Sequence, residues 1–252
     1  MNLLLTNDDG IYAEGLWALH HAFSPNHRVT VVAPDRERSG VGHGITLSSP
    51  LRHTLVTANG GDRGHAVNGT PADCVKLGIL EILEEKPDLV VSGINPGANM
   101  GVNLNYSGTV AAAREATLYG IPAIAASIRG RDVGNYPAAT HFLKILAEKV
   151  LSQGLPFGTF LNVNIPDLPV ADIQGVTISR QGISRLSAPL EKRIDPWSRT
   201  YYWQGADQAP DHHSPDVDGA VLEQDYISIT PVRCDMTDYP MVECLKEWKI
   251  GI

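Results

Sequence analysis

Cysteine is scarce in this 252-residue chain: Cys74, Cys234 and Cys244, with no C-x-x-C spacing. An odd, sparse set is no disulfide framework and reads as buried thiols in a reducing compartment. Basic charge is also short. Lys and Arg number 20 against 28 Asp and Glu, a formal charge of −8, which excludes a chain that grips a nucleic-acid polymer by its phosphates. A small anionic substrate stays open where a metal or a helix end supplies local positive potential. No apolar run approaches the roughly 18 residues of a membrane span. The apolar run Leu3–Leu5 has no basic segment ahead of it and is too short for a signal peptide. The expectation is a cytoplasmic protein off the membrane. No internal repeat or low-complexity tract is found. What remains is an ordinary globular balance, 43% hydrophobic and 19% charged, enough for one large domain or a domain with an arm.

Up to about Pro166, short apolar runs alternate with helical ones. Leu3–Thr6, Arg28–Ala33, Leu89–Val91, Ile121–Ala126 and Phe160–Ile165 read as strands. Glu14–Phe23, Pro71–Leu83, Val110–Tyr119 and Ala138–Leu151 read as helices, with Thr70 as N-cap of the second. In the long last helix, Phe142, Ile145, Leu146 and Val150 form the apolar stripe, and Lys144, Glu148 and Lys149 its solvated face. Repeated β-α-β units with short apolar strands imply a mostly parallel sheet covered on both faces. Beyond this core the pattern changes. Val176–Ser179 and Tyr226–Thr230 read as strands and Tyr239–Trp248 as a short helix, while Gln181–Ala220 is polar, aromatic-rich and without clear period. A stretch so long is unusual inside a compact domain and reads as a lid, an arm reaching another subunit, or both. The expected organisation is a single domain, 1–252, with a core over about 1–170 and an extension over about 171–252.

In a parallel sheet the carboxyl ends of all strands share one edge, where ligands bind. The loop after the first strand carries Asp8 and Asp9, the loop after the second Ser39, and the loop after Leu89–Val91 Asn95. Two carboxylates, a hydroxyl and an amide oxygen form a hard, all-oxygen set suited to Mg²⁺ or Mn²⁺ rather than Zn²⁺. Ser107, Gly108 and Thr109 stand at the start of an Ala-rich helix, where free N–H groups and the dipole make an anion site. A metal site beside an anion site points to a phosphate ester, its phosphoryl group polarised and a water activated by the cation. Each piece alone has a plainer reading: Asp8-Asp9-Gly10 as a turn with a cap, Ser39 and Asn95 as loop residues, Ser107 and Thr109 as caps. Their shared strand edge is what makes the combination specific.

The runs Leu5-Thr6-Asn7-Asp8-Asp9-Gly10-Ile11, Ala33-Pro34-Asp35-Arg36-Glu37-Arg38-Ser39-Gly40 and Asn68-Gly69-Thr70-Pro71-Ala72-Asp73 closely resemble the SurE family, the stationary-phase survival proteins. So do Val91-Ser92-Gly93-Ile94-Asn95-Pro96-Gly97 and Tyr106-Ser107-Gly108-Thr109-Val110-Ala111, with later matches at Asp195-Pro196, Tyr201-Tyr202-Trp203 and Ile227-Ser228-Ile229-Thr230-Pro231. The resemblance covers nearly the whole chain. It implies a Rossmann-like three-layer α/β fold with a C-terminal extension, carrying a β-hairpin arm used in oligomerisation, in a homodimer or homotetramer. It implies a metal-dependent 5′-nucleotidase that hydrolyses nucleoside 5′-monophosphates and often 3′-monophosphates. One divalent cation per subunit, Mg²⁺ or Mn²⁺, falls on Asp8, Asp9, Ser39 and Asn95. The chain departs from the pattern at Val41-Gly42-His43-Gly44 and at Ile183-Ser184-Arg185, both of which bear on substrate preference.

Two mechanisms fit these residues. In one, a metal-activated water attacks while Asp8 or Asp9 orients or deprotonates it; in the other, Asp8 is a nucleophile forming a phospho-aspartate. His43 is a candidate proton donor or a local hydrogen-bonding residue, and His212-His213 read as solvated. Tyr201, Tyr202 and Trp203 would stack a base or, preferably, build a subunit interface. The competing class is a nucleotide-binding stress module without turnover.

Overall fold

A computed structural model describes residues 1–58, 60–184, 189–204 and 214–251. Along the chain, β1 (Asn2–Thr6), α1 (Glu14–Phe23) and β2 (Arg28–Pro34) come first. The antiparallel pair β3 (His53–Thr57) and β4 (Arg63–Val67) follows, then α2 (Pro71–Leu77), which runs into a π-helical turn over Gly78–Ile82. β5 (Leu89–Pro96), a 3₁₀ turn at Gly101–Asn105, α3 (Gly108–Leu118), β6 (Ala123–Ile128), α4 (Tyr136–Gln153) and β7 (Thr159–Ile165) complete the core. The C-terminal part adds β8 (Gly175–Ile178), β9 (Leu190–Ile194), β10 (Thr200–Gln204), α5 (Asp218–Glu223), β11 (Tyr226–Arg233) and α6 (Tyr239–Glu247).

Among the described residues the main sheet has nine strands in the order β3-β4-β2-β1-β5-β6-β7-β11-β8. From β4 to β7 every pairing is parallel; β11 runs antiparallel to β7, and β8 parallel to β11. β9 and β10 form a separate antiparallel hairpin. The strand period of two sends alternate residues to opposite faces. Leu3, Leu5, Val31, Ala33, Leu89 and Val91 pack with α1 and α4, whereas Leu4, Val32 and Val90 pack with α2 and α3. Both faces of the sheet are therefore covered, giving the three-layer Rossmann-like α/β architecture. Each fully buried Leu contributes about 1.5–3 kcal/mol relative to exposure. No helix of the described residues is long and apolar enough to cross a membrane.

Several elements differ from the sequence reading. The β3–β4 hairpin was not expected, because β3 exposes all its residues except the half-buried Val56 and so lacks an apolar alternation. β5 extends through Pro96, past the Gly and Asn that read as loop; its register to β6 shifts between Ser92 and Asn95, and Gly93 takes φ +134° where a Cβ would meet the Ala126 carbonyl at 2.3 Å. The helix after Thr70 is divided at Gly78, where added bulk would press on Leu4. On α4 the buried line is Ala139, Leu143, Ala147 and Val150, with Phe142 and Leu146 flanking it, and Ile145 faces outward. Of the three cysteines only Cys74 is fully buried; Cys244 on α6 is exposed. Arg185 and His212-His213 lie outside the described residues.

Candidate active site at the sheet edge

The turn after β1 is set by Asn7. Its side-chain amide donates to the Gly10 carbonyl at 3.0 Å, and its oxygen accepts from the Gly10 N–H at 3.2 Å. Gly10 takes φ +102°, with the backbone of Arg36 only 3.0 Å from where a Cβ would stand, so no other residue fits there without strain. The Arg38 N–H then donates to the Asp8 carbonyl at 2.7 Å, and the Ile11 N–H to that of Pro34 at 2.8 Å. These bonds sew the loop after β2, which carries Ser39, to the acidic turn after β1.

Asp8 is buried against the N-terminus of α3. Thr109 Oγ1 donates to Asp8 Oδ1 at 2.5 Å, and a Cβ on Gly108 would lie 2.7 Å from Asp8 Cβ. Glycine at 108 is therefore a matter of room: the helix start and the carboxylate occupy the space a side chain would need. Burial pushes the Asp8 carboxyl above its ordinary range, while the Thr109 hydroxyl and the backbone N–H groups of Asp8, Thr109 and Gly108 pull the other way. Ser107 caps the same helix, its hydroxyl accepting from the Val110 N–H at 3.1 Å.

Asp9 has less support. Its Oδ2 is enclosed and has no hydrogen-bond partner. Burial, with the neighbouring charges of Asp8 and Glu37, raises its pKa to about 7. Burial, with the negative charges of Glu14, Asp9 and Asp167, pushes Tyr136 up to about 12. Ser39 is exposed and donates to Glu37 Oε1 at 2.8 Å. At the end of β5, Asn95 Nδ2 donates to the Gly97 carbonyl at 2.5 Å, which fixes the orientation of the side-chain amide. Asp8, Gly108 and Thr109 are thus in direct contact, Glu37 holds the Ser39 hydroxyl and repels Asp9, and Asn95 stands at the carboxyl end of the neighbouring strand. Two close carboxylates, one with an unpartnered buried oxygen, form a site short of positive charge. An oxygen-only donor set of this kind fits a hard divalent cation.

Residues that the sequence reading passed over hold the rim. Glu37 is one; its place two residues before Ser39 was the available signal. Asn99 is another. Its N–H donates to Asn164 Oδ1 at 2.8 Å, its amide to Ser127 Oγ at 2.9 Å, and its carbonyl accepts from both Asn162 and Asn164. Asp218, buried at the start of α5, accepts from the N–H groups of Gly101, Gly182 and Gly219 at 2.8, 3.1 and 2.9 Å. It fastens the C-terminal part to the loop before α3. His43 Nε2 pairs with Glu115 Oε2 at 2.8 Å, and the Gly42 N–H donates to the Tyr106 carbonyl at 2.9 Å. The glycine at 42 has a physical cause: φ is +57° and a Cβ would come within 3.0 Å of the Asn105 carbonyl.

Fold and site together define a Rossmann-like α/β protein whose candidate site lies at the carboxyl ends of its strands, the edge where open α/β sheets bind ligands. Residues 3–188 match the family model "Survival protein SurE". A protein of Desulfatibacillum aliphaticivorans named "5'-nucleotidase SurE" is 56% identical over 250 residues, covering 99% of each chain. One of the same name from Syntrophobacter fumaroxidans is 47% identical, covering 99% of this chain and 100% of its own. The crystal structure of the Sure protein from Aquifex aeolicus superposes with a TM-score of 0.86 at 40% identity, over 99% of this chain and 100% of that one. The chain belongs to the SurE family.

Proposed function

We propose that this chain is a metal-dependent 5′-nucleotidase, a phosphoric monoester hydrolase that releases phosphate from nucleoside 5′-monophosphates. The relatives so named match over their full length. The observation that carries the reading here is the Asp8–Asp9 pair at the sheet edge, with Asp9 Oδ2 enclosed and unpartnered. Nucleoside 3′-monophosphates are the second substrates in this reading.

Asp8, Asp9, Ser39 and Asn95 are the residues that would hold one Mg²⁺ or Mn²⁺. Bound there, the cation would supply charge to the phosphoryl oxygens and lower the pKa of a nearby water. The chain's own groups supply position. Thr109 Oγ1 fixes the Asp8 carboxylate, and Ser107, Gly108 and Thr109 present the helix N-terminus to the phosphate. Asp8, held by hydrogen bonds, is the anchored group; Asp9 is the one with an oxygen to spare for orienting or deprotonating the attacking water. A phosphoryl group trapped on Asp8 in a rapid-quench experiment would contradict this assignment.

The exposed Ile194, Trp197, Tyr201, Tyr202 and Trp203 of the β9–β10 hairpin support an arm that pairs subunits, because an isolated two-stranded hairpin is marginal in water. We read residues 1–252 as one functional unit in a cytoplasmic homodimer or homotetramer. A chelator titration tests the activity. EDTA is expected to abolish phosphate release from AMP, and Mg²⁺ or Mn²⁺ to restore it. Nucleotide binding with no phosphate release under any divalent cation would favour a binding module instead.

A further inference from the structure

A second group of donor atoms lies where the last turn of α1 meets the turn between β3 and β4. His21 Nε2 stands 2.7 Å from Asp62 Oδ2, and His20 Nδ1 stands 3.7 Å from the same oxygen. All three donor atoms fall within 4.8 Å of one another; among the described residues no other trio of His, Cys, Asp or Glu converges in this way. Adjacent residues on a helix do not share a face. Here the carboxylate comes from a different element and sits between the two rings.

The surroundings hold these groups in place. The Ala58 N–H donates to the Asp62 carbonyl at 2.8 Å, and the Gly61 N–H to that of Ala58 at 3.2 Å, which closes the turn. The Trp17 ring meets the His20 ring edge-on, with centroids 5.2 Å apart. A hydrogen bond accounts for His21 and Asp62. It does not account for His20 Nδ1, which is shielded from water without a hydrogen-bond partner. Burial lowers the proton affinity of the His20 imidazole, favouring the neutral form that ligates metals.

We propose that His20, His21 and Asp62 form a second cation site, selective for a borderline first-row divalent ion with Zn²⁺ as the type. Metal–ligand bonds of about 2.0–2.1 Å in a tetrahedral site place ligand atoms about 3.3–3.4 Å apart. The 2.7 and 3.7 Å separations from Asp62 bracket that spacing, and the two ring nitrogens lie within 4.8 Å of each other, so side-chain rotations that draw the two rings together would complete it, with water in the fourth position. The two sites differ in chemistry. The sheet edge offers only oxygen and suits Mg²⁺ or Mn²⁺; this one offers two imidazoles and a carboxylate, a set that favours later first-row ions. An ion here would clip α1 to the β3–β4 turn and act on stability, not on the reaction.

The test uses the full chain in excess Mg²⁺, which keeps the sheet edge filled with a hard ion. Calorimetry is expected to find one equivalent of Zn²⁺ bound, and X-ray absorption of the one-equivalent complex to show imidazole scattering. Zn²⁺ at 100 times its Kd should raise Tm by about 5–10 °C. His21→Ala, at an exposed side chain, and Asp62→Asn should each lose the Zn²⁺ equivalent and the Tm rise while keeping Mg²⁺-dependent hydrolysis. The proposal is overturned if wild type binds no Zn²⁺ under these conditions. It is equally overturned if both variants keep the stoichiometry and the imidazole signature, which would move the ion to other histidines such as the His53–His65 pair, 3.1 Å apart.

Discussion

Gly108→Ala sets local propensity against the site. Gly108 opens α3, and Ala is favoured over Gly in a helix by about 0.8–1.0 kcal/mol. On the helix alone the substitution stabilises. The added methyl, however, would lie 2.7 Å from Asp8 Cβ, 2.9 Å from Asp8 Oδ2 and 3.1 Å from Asp8 Cγ. Because the closest atom is a Cβ, swinging the end of the side chain does not relieve the clash. Asp8 must retreat by about 0.7 Å to reach the 3.4 Å at which ordinary contact begins, and the 2.5 Å bond from Thr109 Oγ1 is lost or bent. Overpacking of this kind costs about 1–3 kcal/mol, enough to cancel the helix gain. A misplacement approaching 1 Å at a reacting centre costs about 10²-fold, or about 2.7 kcal/mol of barrier. The expected result is a kcat/KM for AMP about 100-fold below wild type, measured in saturating Mn²⁺, with a Tm equal to wild type or a few degrees lower. A variant with wild-type kcat/KM and a raised Tm would refute the reasoning, since Asp8 would then have no need of its place.

Two further outcomes follow from the same geometry. Asp218→Ala removes the shared acceptor of three N–H groups, one buried and two half-buried; at about 1–3 kcal/mol for a buried donor left unpaired and less for a half-buried one, urea unfolding should show a loss of about 2 kcal/mol or more, and a loss under about 1 kcal/mol would contradict the role given to it. Asp9 bears on pH. Its pKa is about 7 in the metal-free fold against an ordinary 3.8, so the folded chain holds a proton that the unfolded chain releases. Asp9 therefore costs stability progressively as pH rises from 3.8 to about 7, and fully above that. In chelator-treated protein, Asp9→Asn should stabilise more at pH 8 than at pH 5; an equal gain at both would show that Asp9 does not titrate in that window.

The legible parts of the molecule were those whose residues face only one kind of neighbour. β1 and β6 hold continuous apolar runs, and β2 and β7 mostly apolar ones broken by Thr30, Asn162 and Asn164, because both faces of a parallel sheet are covered, and α1 carries its core line at helical spacing. The acidic turn, the Ser39 loop and the start of α3 were legible because parallel strands end on one edge. The β3–β4 hairpin was not, since its side chains face water and carry no period. Nor was the far end of β5, where Gly93 and Asn95 look like loop yet continue the strand through a register shift. The supports of the site were hidden for another reason. Asn99 meets Asn162 and Asn164 across more than 60 residues of chain, Asp218 meets Gly101 across 117, and only the folded sheet brings such pairs together. The direct bond from Thr109 to Asp8 spans 101 residues and turns two separate motifs into one unit.

In the proposed function, Asp8 and Asp9 hold a divalent cation that hydrolysis requires. This role is tested most directly by measuring AMP hydrolysis and Mn²⁺ binding together for Asp8→Asn at limiting Mn²⁺. The change removes one charge with almost no change in volume, so the circular dichroism and melting profile should stay close to wild type. Most activity and the tightest Mn²⁺ equivalent are expected to disappear together. Hydrolysis at the wild-type rate in limiting Mn²⁺ by the folded variant would contradict that role.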